Sequence, residues 1–338
     1  MRILVTGATG LVGRHVVASL ASAGHEVTAL ARRAVQAAWP PNVRPVAMDL
    51  LHPFGLTALL RGHDHVVHAA GPVAHVAGPA ALRAVHVEGT TRLAEAAIAA
   101  DLSAIVYIST LAVVMPPSLS QPLDELTPLR ERFPSWMRYA EAKRDAECVL
   151  EAHRRGSSLR VCVLRPGIVL GAGDSYLAPR MLAALRRGGP VHIGSGAQRP
   201  PCVCASDLGD AVAAAILHPP LGHDTFVLSG PEPPTQADLW RCFAKSAELA
   251  VPRGHIPKPV AMLAAGVLER VAASRRRPAP VTRFDVFALS ADVTVDSRKA
   301  MALLGWRPRA DYIAGIHAAV RCIDSIQRSS KVHQQGGV

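Results

Sequence analysis

The sequence predicts an α/β fold, a doubly wound parallel sheet that carries a smaller, irregular C-terminal substrate lobe. Short apolar segments typical of strands alternate with amphipathic helical segments through the first half of the 338 residues. Beyond Pro166 glycine- and proline-rich segments replace this alternation, which is typical of loops. We therefore expect a sheet domain over residues 1–170, a lobe over 171–326 with some segments returning to the sheet domain, and a flexible tail over 327–338.

The individual elements follow from hydrophobic periodicity. The predicted strands cover residues 3–6, 26–30, 43–48, 65–69, 104–109 and 159–164. The predicted helices cover residues 12–23, 56–60, 81–100, 139–154 and 260–273. Because the strands are apolar on both faces, they are expected to be parallel and covered by helices on both sides. Three arginines follow the helix at 260–273, which is expected to be buried against the sheet domain; docking on a membrane and capping of a substrate pocket are the alternatives.

The composition limits the class of partner. The formal net charge is +11, but only 4% of the residues are aromatic and the arginines are spread along the chain, so no nucleic-acid partner is expected. The charge instead suits an anionic cofactor, an anionic substrate or peripheral contact with an anionic membrane surface. No apolar run approaches the ~20 residues of a membrane span. The first strand begins too early for a secretory signal, so a cytoplasmic location is expected.

Neither the cysteines nor the histidines form a convincing metal-binding pattern. The six cysteines are scattered, which favours reduced thiols, and Cys202-x-Cys204 has no second ligand pair nearby. A histidine-rich region has no carboxylate at metal-ligand spacing; its members are His63, His65, His68, His75 and His86. No metal site is expected.

The segment TGATGLVG, residues 6–13, indicates a dinucleotide site of the Rossmann type. It follows a strand and opens a helix, so the first backbone N–H groups of that helix point at the crevice beyond the sheet, where a pyrophosphate fits. Glycine permits the tight turn and the close approach of backbone to phosphate. The loop residues expected at the cofactor are Gly7, Thr9, Gly10, Leu11, Val12 and Gly13.

The second predicted strand ends in Arg32 and Arg33, where an NAD-binding unit would place an acidic residue. Two guanidinium groups suit a 2′-phosphate, so NADP(H) is expected in preference to NAD(H). The alternative is that the arginines lie in solvent. Further cofactor contacts are expected after the third and fourth strands, from Asp49, which would contact the adenine amino group, and from Leu50, Ala69, Ala70 and Gly71.

A second motif suggests proton transfer. Tyr139 and Lys143 lie four residues apart on one face of a predicted helix. Tyrosine has a pKa of about 10, so acid–base work at neutral pH requires stabilisation of its phenolate, which a fixed ammonium provides. Ser109 and Thr110 end an upstream strand and could hold a substrate oxygen beside the phenol. Together these groups indicate a site around a carbonyl.

The motifs TGATGLVG, VVHAAG, YISTLAV, YAEAK and LRPGIVLG occur in the order of the extended short-chain dehydrogenase/reductase family, within the NAD-dependent epimerase/dehydratase superfamily, which the chain resembles over nearly its whole length. The resemblance implies that Tyr139 is the catalytic acid/base, that Lys143 lowers its pKa and binds the nicotinamide ribose, and that Thr110, or less favourably its neighbour Ser109, orients the substrate. It also implies that the turn at Pro166 and Gly167, with Val169 beyond it, borders the nicotinamide. Dimerisation through two long sheet-flanking helices is common in the family and is expected here.

Three observations bear on which branch of this family the chain resembles. The resemblance to the 3β-hydroxysteroid dehydrogenase-like branch rests on Thr282-Arg283, Lys299-Ala300 and the ending LGWRP at residues 304–308. Sugar-nucleotide dehydratases are disfavoured, because Thr110 is followed by Leu111 and Ala112 rather than by their Asp-Glu pair. Diphosphosugar enzymes are disfavoured, because Pro200 occupies the position of their arginine and Arg199 is out of register. One departure from the family is His86, where an asparagine is common.

The sequence therefore predicts an NAD(P)-dependent oxidoreductase that interconverts a secondary alcohol and a ketone on a hydrophobic substrate, such as a sterol-, polyketide- or β-keto-acyl-like compound. An apolar pocket for it is expected near Met115, Trp136, Met137, Met181 and the 260–273 helix. The first alternative is a nucleotide-sugar epimerase with tightly bound NAD. The second is a non-catalytic NADP sensor, which the presence of both Tyr139 and Lys143 disfavours.

Overall fold

A computed structural model describes residues 1–72, 78–115, 121–188, 192–217, 224–251 and 253–335. Its strands, in chain order, are β1 (Arg2–Thr6), β2 (Glu26–Ala31), β3 (Val43–Ala47), β4 (His65–His68), β5 (Ala104–Ile108), β6 (Arg160–Pro166), β7 (Ile168–Leu170), β8 (His192–Ile193), β9 (Cys202–Cys204), β10 (Asp224–Leu228) and β11 (His255–Ile256). Its helices are α1 (Leu11–Ser22), α2 (Leu56–Leu60), α3 (Pro79–Arg83), α4 (Gly89–Ala99), α5 (Arg138–Arg155), α6 (Leu177–Arg187), α7 (Ala205–Leu217), α8 (Gln236–Ser246), α9 (Lys258–Ser274), α10 (Arg283–Leu289), α11 (Arg298–Leu303) and α12 (Tyr312–Gln335).

The doubly wound parallel sheet is confirmed. Within the described residues, seven parallel strands pair in the order β10-β6-β5-β4-β1-β2-β3. The chain reverses its direction of winding between β1 and β4, which leaves a crevice at the carboxyl ends of these strands, where ligands bind in open α/β sheets. Strands β1, β4 and β5 are buried on both faces apart from the first residue of β1, as the apolar runs predict.

The predicted helix at residues 81–100 is interrupted. The chain forms α3, then a π-helical turn at Ala84–Glu88, and then α4. Insertion of one residue into the helical repeat changes which side chains face inward, and such π-bulges are frequent at functional sites. Here the turn buries His86 and Val87. Periodicity alone predicts a regular helix and cannot show this bulge.

Segments from the C-terminal half return to the sheet domain. Helix α7 packs against α1, and β10 adds to the sheet beside β6. Trp306 joins the same hydrophobic core as Val16 and Phe226. Strand β10 is not predicted from the sequence, because it lies beyond the point where the strand–helix alternation ends.

The remaining C-terminal segments form the lobe. Two short parallel pairs, β7 with β9 and β8 with β11, hold its loops together. A second hydrophobic core fills the space between α6, α8, α10 and α12, with Phe243 and Leu182 at its centre. Helices α8 and α10 begin at capping boxes, in which Thr235 pairs with Asp238 and Thr282 with Asp285.

One expectation about the C-terminal half differs from the structure. Burial of the 260–273 helix is wrong, because the fully buried side chains of α9 are small, Ala261, Ala265 and Ala272, and most of its large apolar residues face outward, with Met262 partly buried against the lobe core. Helix α12 continues to Gln335, past residue 327, and the flexibility of that tail stays a prediction. Among the described residues, no helix combines the length and the hydropathy that a membrane span requires.

Candidate functional site

The glycine loop between β1 and α1 brings backbone into close contact with backbone. Gly7 has a left-handed φ of +66°, and a Cβ there would lie 2.7 Å from the Cα of Ala70. A Cβ on Gly13 would lie 2.2 Å from the carbonyl oxygen of Gly7. Helix α1 starts at Gly10 without a side-chain cap and without an acidic residue in its first turn. Its first N–H groups and the positive end of its dipole therefore suit an anionic group such as a pyrophosphate.

A cavity of about 450 Å³ runs from the start of α1 to α10. Fourteen of the twenty predicted site residues, all of which fall in described ranges, line it: Gly10, Leu11, Val12, Gly13, Arg32, Ala69, Gly71, Ser109, Thr110, Tyr139, Lys143, Pro166, Gly167 and Val169. The fold thus brings together residues from six separate stretches of chain. The sequence motifs that carry the cofactor and proton-transfer predictions share one continuous space.

The other six predicted residues lie outside this lining. Gly7 and Ala70 pack against each other behind it, and Leu50 is buried in the core with Leu4 and Leu30. Asp49 accepts a hydrogen bond from the Leu51 N–H, 3.0 Å away. The last two are Thr9, whose carbonyl accepts from Arg14, and Arg33, which is exposed.

Lys143 is almost fully buried on α5, at 5% exposure. Its Nζ donates to the carbonyl of Ile108 at 2.7 Å and lies 4.7 Å from the centre of the Tyr107 ring. Burial lowers the pKa of Lys143 to about 7, against the opposing charge of Glu147. An ammonium has three donors, so two stay available for a ligand in the cavity.

The Tyr139 ring is held between two other rings. His86 approaches at 5.5 Å between ring centres with its plane nearly perpendicular, and Phe284 does the same at 6.0 Å. Burial raises the pKa of Tyr139 to about 12. This direction is the opposite of the lowering that the resemblance implies, because removal from water disfavours the phenolate. The protein alone therefore keeps this hydroxyl protonated.

Thr110 and Ser109 have different hydrogen-bond partners although both line the cavity. Thr110 Oγ1 accepts from the Ala112 N–H at 3.3 Å, which leaves its own proton for another acceptor. Ser109 donates its hydroxyl proton to the carboxylate of Glu147, which is buried and also receives two hydrogen bonds from Arg165. The structure thus links Ser109 to a buried ion pair and leaves Thr110 the better placed of the two to donate to a substrate.

His86 supports the cavity wall from behind. Its Nε2 donates to the carbonyl of Pro72 at 3.0 Å, so Nδ1 is unprotonated, and Nδ1 has no hydrogen-bond partner in the described part of the chain. Burial lowers the pKa of His86 to about 3, which keeps the ring neutral. A Cβ on Gly71 would lie 2.1 Å from His86 Cε1, so the histidine needs glycine at that position of the wall.

Behind His86 lies a chain of hydrogen bonds with a fixed direction. Ala70 N–H donates to Thr6 Oγ1, which donates to His68 Nδ1 at 2.7 Å. The opposite nitrogen, His68 Nε2, donates to Thr90 Oγ1 at 2.9 Å, and Thr90 donates to the His86 carbonyl at 2.5 Å. Burial lowers the pKa of His68 to about 3, so this ring is also neutral. The chain ties the end of β4 to the π-helical turn.

The far end of the cavity is apolar. The side chains there are Leu111, Ala112, Met115, Leu177, Phe284, Phe287, Ala288 and Leu289. Of the residues predicted for a substrate pocket, Met115 lines the cavity, whereas Trp136 and Met137 pack behind Phe287 and Met181 is part of the lobe core. Helix α9 does not line it either, so capping of the pocket by that helix is not observed.

Few charged side chains reach the cavity from the described ranges: Arg32, Lys143, Asp174 and Asp285. Asp174 accepts from three N–H groups at the start of α6, and Asp285 accepts from Thr282 and from the Tyr176 hydroxyl. Both carboxylates are therefore occupied by the protein. Both cations lie on the side of the glycine loop and of Tyr139.

Sequence reasoning missed α6 and α10 as walls of the cavity. Their contributions include Leu177 and Phe284, which come from the irregular half of the chain. The capping box of Thr282 and Asp285 is visible in the sequence and locates the start of α10. Nothing local shows that this helix faces Tyr139.

The described residues contain no group of three or more His, Cys, Asp or Glu side chains able to hold a metal ion. All six cysteines lie in described ranges and are free thiols, and Cys202 and Cys204 are buried. His75 lies outside the described residues.

Comparisons with known proteins identify the family of the chain. The model of the NAD dependent epimerase/dehydratase family matches residues 3–228. A 4-hydroxy-2-methyl-3-oxo-4-farnesyl-3,4-dihydroquinoline-1-oxide ketoreductase of Stigmatella aurantiaca is 28% identical over 323 residues, covering 94% of this chain and 95% of the relative. A 3-beta-hydroxysteroid dehydrogenase of Mycolicibacterium neoaurum is 29% identical over 183 residues, 52% of this chain and 50% of that protein.

Among solved structures, a UDP-glucuronic acid 4-epimerase from Bacillus cereus in complex with NAD has the same fold. Its TM-score is 0.75 at 18% identity, and the match covers 96% of this chain and 99% of that chain. The resemblance to extended short-chain dehydrogenases/reductases is thus confirmed, and the family depends on a nicotinamide dinucleotide. The chain belongs to the NAD dependent epimerase/dehydratase family and is an NAD(P)-dependent enzyme of the extended short-chain dehydrogenase/reductase type.

Proposed function

We propose that this protein is an NADP(H)-preferring oxidoreductase that interconverts a secondary alcohol and a ketone on a hydrophobic substrate. The observation that carries the proposal is the apolar end of the cavity, which adjoins Tyr139 and Thr110. An apolar substrate placed there would expose its carbonyl to these two hydroxyls and would bury its hydrocarbon against α10. A ketoreductase relative, which matches nearly the full length of the chain, supports the same reaction class.

The residues divide the work of the reaction. The nicotinamide, when bound, supplies or accepts the hydride at the substrate carbon. In the direction of reduction, Tyr139 donates its proton to the carbonyl oxygen, and Thr110 donates a hydrogen bond to the same oxygen. Lys143, fixed on the Ile108 carbonyl, donates its other protons to the cofactor ribose. Ser109 positions β5 through Glu147 and takes no direct part.

The preference for NADP(H) rests on Arg32. It lies directly after β2, is exposed, and lines the cofactor end of the cavity, while Arg33 beside it is exposed as well. The end of β2 carries no carboxylate for ribose hydroxyls, whereas a guanidinium can form charge-assisted hydrogen bonds with a 2′-phosphate. Asp49 is assigned to the adenine side, as the sequence predicts.

The nucleotide-sugar epimerase is the second candidate, favoured by the solved epimerase of the same fold. A sugar nucleotide carries a diphosphate, which needs cations on the substrate side. Arg199 is the arginine nearest in sequence to Pro200, which occupies the position of the arginine in diphosphosugar enzymes. Its side chain donates to the Pro233 carbonyl and does not line the cavity. An epimerase would hold NAD through purification and consume no net cofactor. The proposed reductase oxidises NADPH in step with substrate.

Replacement of Tyr139 by Phe tests the mechanism. Loss of a general acid slows proton transfer by about 10²- to 10⁴-fold. We expect Tyr139→Phe to bind NADPH normally, as measured by fluorescence titration. Its turnover should fall by this factor, measured with a panel of apolar ketones as the loss of nicotinamide absorbance at ~340 nm.

Tyr176→Phe is the matched control, because it removes a phenol from the same cavity. The Tyr176 hydroxyl donates to Asp285 and not to the carbonyl position. Its loss of turnover should be smaller by about tenfold or more. Full activity of Tyr139→Phe would remove Tyr139 from the reaction.

Arg32→Ala/Arg33→Ala tests the cofactor choice. Each charge-assisted hydrogen bond contributes about 1.5–3 kcal/mol, so the KM for NADPH should rise by roughly tenfold or more. The KM for NADH is the internal control and should stay within a few-fold. A parent enzyme that prefers NADH would contradict the assignment of these arginines.

A further inference from the structure

Helix α9 presents an apolar stripe to the outside of the molecule. Of the 14 exposed large hydrophobic side chains in the described ranges, five belong to this one helix: Val260, Leu263, Val267, Leu268 and Val271. Leu263 is 72% exposed. Their spacing of three and four residues places them on one face. Single exposed hydrophobic residues are ordinary, but a contiguous stripe marks an interaction site.

The opposite face of α9 fixes the helix to the lobe. Ala261, Ala265 and Ala272 are buried there. Glu269 accepts hydrogen bonds from the backbone and side chain of Arg283 at 2.7 Å, at the start of α10. Packing and an ion pair on the inner face therefore attach α9 to the lobe. This attachment holds the apolar stripe outward.

Arginines border the stripe. Arg270 flanks it, and residues 275–277 follow the last turn; all four are exposed. None of them forms an ion pair within the described part of the chain. The one acidic residue of α9, Glu269, is paired with Arg283 on the inner face. The outer surface is thus apolar in the middle and purely cationic at its C-terminal end.

The end of α9 has a left-handed residue at Arg276. Its φ is +50°, and the next N–H, from Arg277, closes the helix on the carbonyl of Ala272. Glycine is the residue that this position of a helix C-terminus favours. Arg276 can therefore be replaced by glycine without strain, which gives a way to remove its charge alone.

The five apolar residues together with Arg270 and residues 275–277 form the α9 surface. We propose that the α9 surface docks on an anionic lipid bilayer. The apolar stripe would enter the boundary between headgroups and acyl chains, while the arginines contact lipid phosphates. A second copy of the chain is disfavoured as the occupant, because the same surface on a partner would offer these arginines no carboxylate, whereas lipid phosphates supply the opposite charge. Helix α9 packs on α10, whose other side lines the cavity, so docking places the apolar end of the cavity near the membrane.

Vesicle sedimentation with the full chain tests the docking. We expect the protein to pellet with vesicles of phosphatidylcholine and phosphatidylglycerol, to pellet far less with phosphatidylcholine alone, and to be released as salt is raised. Failure to bind the anionic vesicles at low salt overturns the proposal. The readout does not depend on substrate or turnover, so it is independent of the proposed reaction.

Leu263→Glu/Val267→Glu tests the apolar stripe. Both side chains are exposed, so the variant should fold and bind NADPH as the parent does, while vesicle binding falls by at least tenfold. Phe54→Glu is the matched control, since Phe54 is 97% exposed but lies before α2, away from α9. Equal vesicle binding by the parent and the Leu263→Glu/Val267→Glu variant would overturn the proposal.

Arg276→Gly separates charge from structure. The glycine suits the left-handed backbone, so thermal stability should be equal to or above that of the parent, while vesicle binding falls by roughly fivefold; Arg275→Gln/Arg276→Gly/Arg277→Gln should lose on the order of a hundredfold. Arg61→Gln, an exposed arginine after α2, is the charge control. If the parent is instead a dimer in sedimentation velocity and Leu263→Glu/Val267→Glu is a monomer, a second copy covers α9 and the proposal is wrong.

Discussion

At the scale of residues, the site places two ionisable groups where burial favours the neutral form of each. Burial raises the pKa of Tyr139 to about 12 and lowers that of Lys143 to about 7. A phenol that stays protonated suits a general acid, which is the role that ketone reduction requires. In the direction of alcohol oxidation, the phenolate needs additional positive charge nearby. In the protein alone, burial therefore leaves Tyr139 protonated, as a general acid must be.

Lys143 also makes stability depend on pH. Its pKa in the folded protein is below its value of about 10.4 in the unfolded chain, so between these values the unfolded state binds more protons and stability rises with pH. Stability is lost as the pH falls through about 7. Lys143→Met cannot ionise, so its unfolding free energy lacks this dependence and should exceed that of the parent at low pH. The difference between the two proteins should shrink by up to about 1.4 kcal/mol for each pH unit above about 7.

Urea unfolding of both proteins across this pH range checks the prediction. Lys143→Gln serves as the control for size and polarity, since it also cannot ionise, and its difference from the parent should shrink with pH in the same way. A constant gap between Lys143→Met and the parent would mean that Lys143 has an ordinary pKa in the folded state. Both variants should lack turnover.

At the scale of elements, the π-helical turn at Ala84–Glu88 shapes the wall of the site. It turns His86 inward, edge-on to the Tyr139 ring and against the cavity wall at Gly71. His86 is thereby a positioning residue: it contacts the proton-transfer group and the wall from behind but does not line the cavity. A regular helix over residues 81–100 would point a different side chain at Tyr139.

Gly71 and His86 should therefore be coupled. Gly71→Ala forces a Cβ to within 2.1 Å of His86 Cε1 and is expected to weaken both NADPH binding and stability. In a His86→Ala background the clash is absent and only backbone strain is left, so Gly71→Ala should cost less there, with an interaction free energy of about 0.5–3 kcal/mol. A double-mutant cycle of urea unfolding measures this energy.

Steady-state kinetics of the same variants test the positioning role of His86. His86→Ala should lower kcat for the ketone more than it raises the KM for NADPH, because it frees the Tyr139 ring and leaves the glycine loop intact. His86→Asn, the residue common in the family, should restore the hydrogen bond to the wall in part but not the ring contact. Additive effects of Gly71→Ala and His86→Ala would show that the two residues do not communicate.

Local sequence predicted those elements whose signals are local. The glycine loop, the strand ends at Ser109 and Thr110, and the Tyr139–Lys143 face depend on spacings within single segments, and they meet because parallel strands end at one edge. The walls from α6 and α10 depend on how distant segments pack, which periodicity does not encode. Burial of the 260–273 helix was wrong for a related reason: an apolar face shows that a partner is needed, but not that the same chain supplies it.

At the scale of the whole molecule, the two halves are built into one another. Helix α7 and strand β10 belong to the sheet domain, and the Trp306 indole donates to the Asp207 carbonyl at 2.8 Å within the sheet core. The Asp207 carboxylate also accepts from Ala310 N–H and from Arg309. The expected dimer through α4 and α5 stays a prediction; the outer face of α5 carries ion pairs such as Arg138–Glu141 and Arg154–Glu151.

This interleaving predicts that the chain unfolds as one unit. Trp306→Ala should open a cavity in the sheet core and lower the unfolding free energy by about 3–5 kcal/mol, with sheet and lobe lost in the same transition. Trp306→Phe keeps most of the volume and loses the hydrogen bond, so it should cost about 1–2 kcal/mol. Leu303→Ala, on the exposed side of α11, should change stability by less than about 0.5 kcal/mol. Urea unfolding followed by far-UV circular dichroism and by tryptophan fluorescence measures these changes. Two separate transitions, of which only one shifts in Trp306→Ala, would show that the lobe folds independently of the sheet.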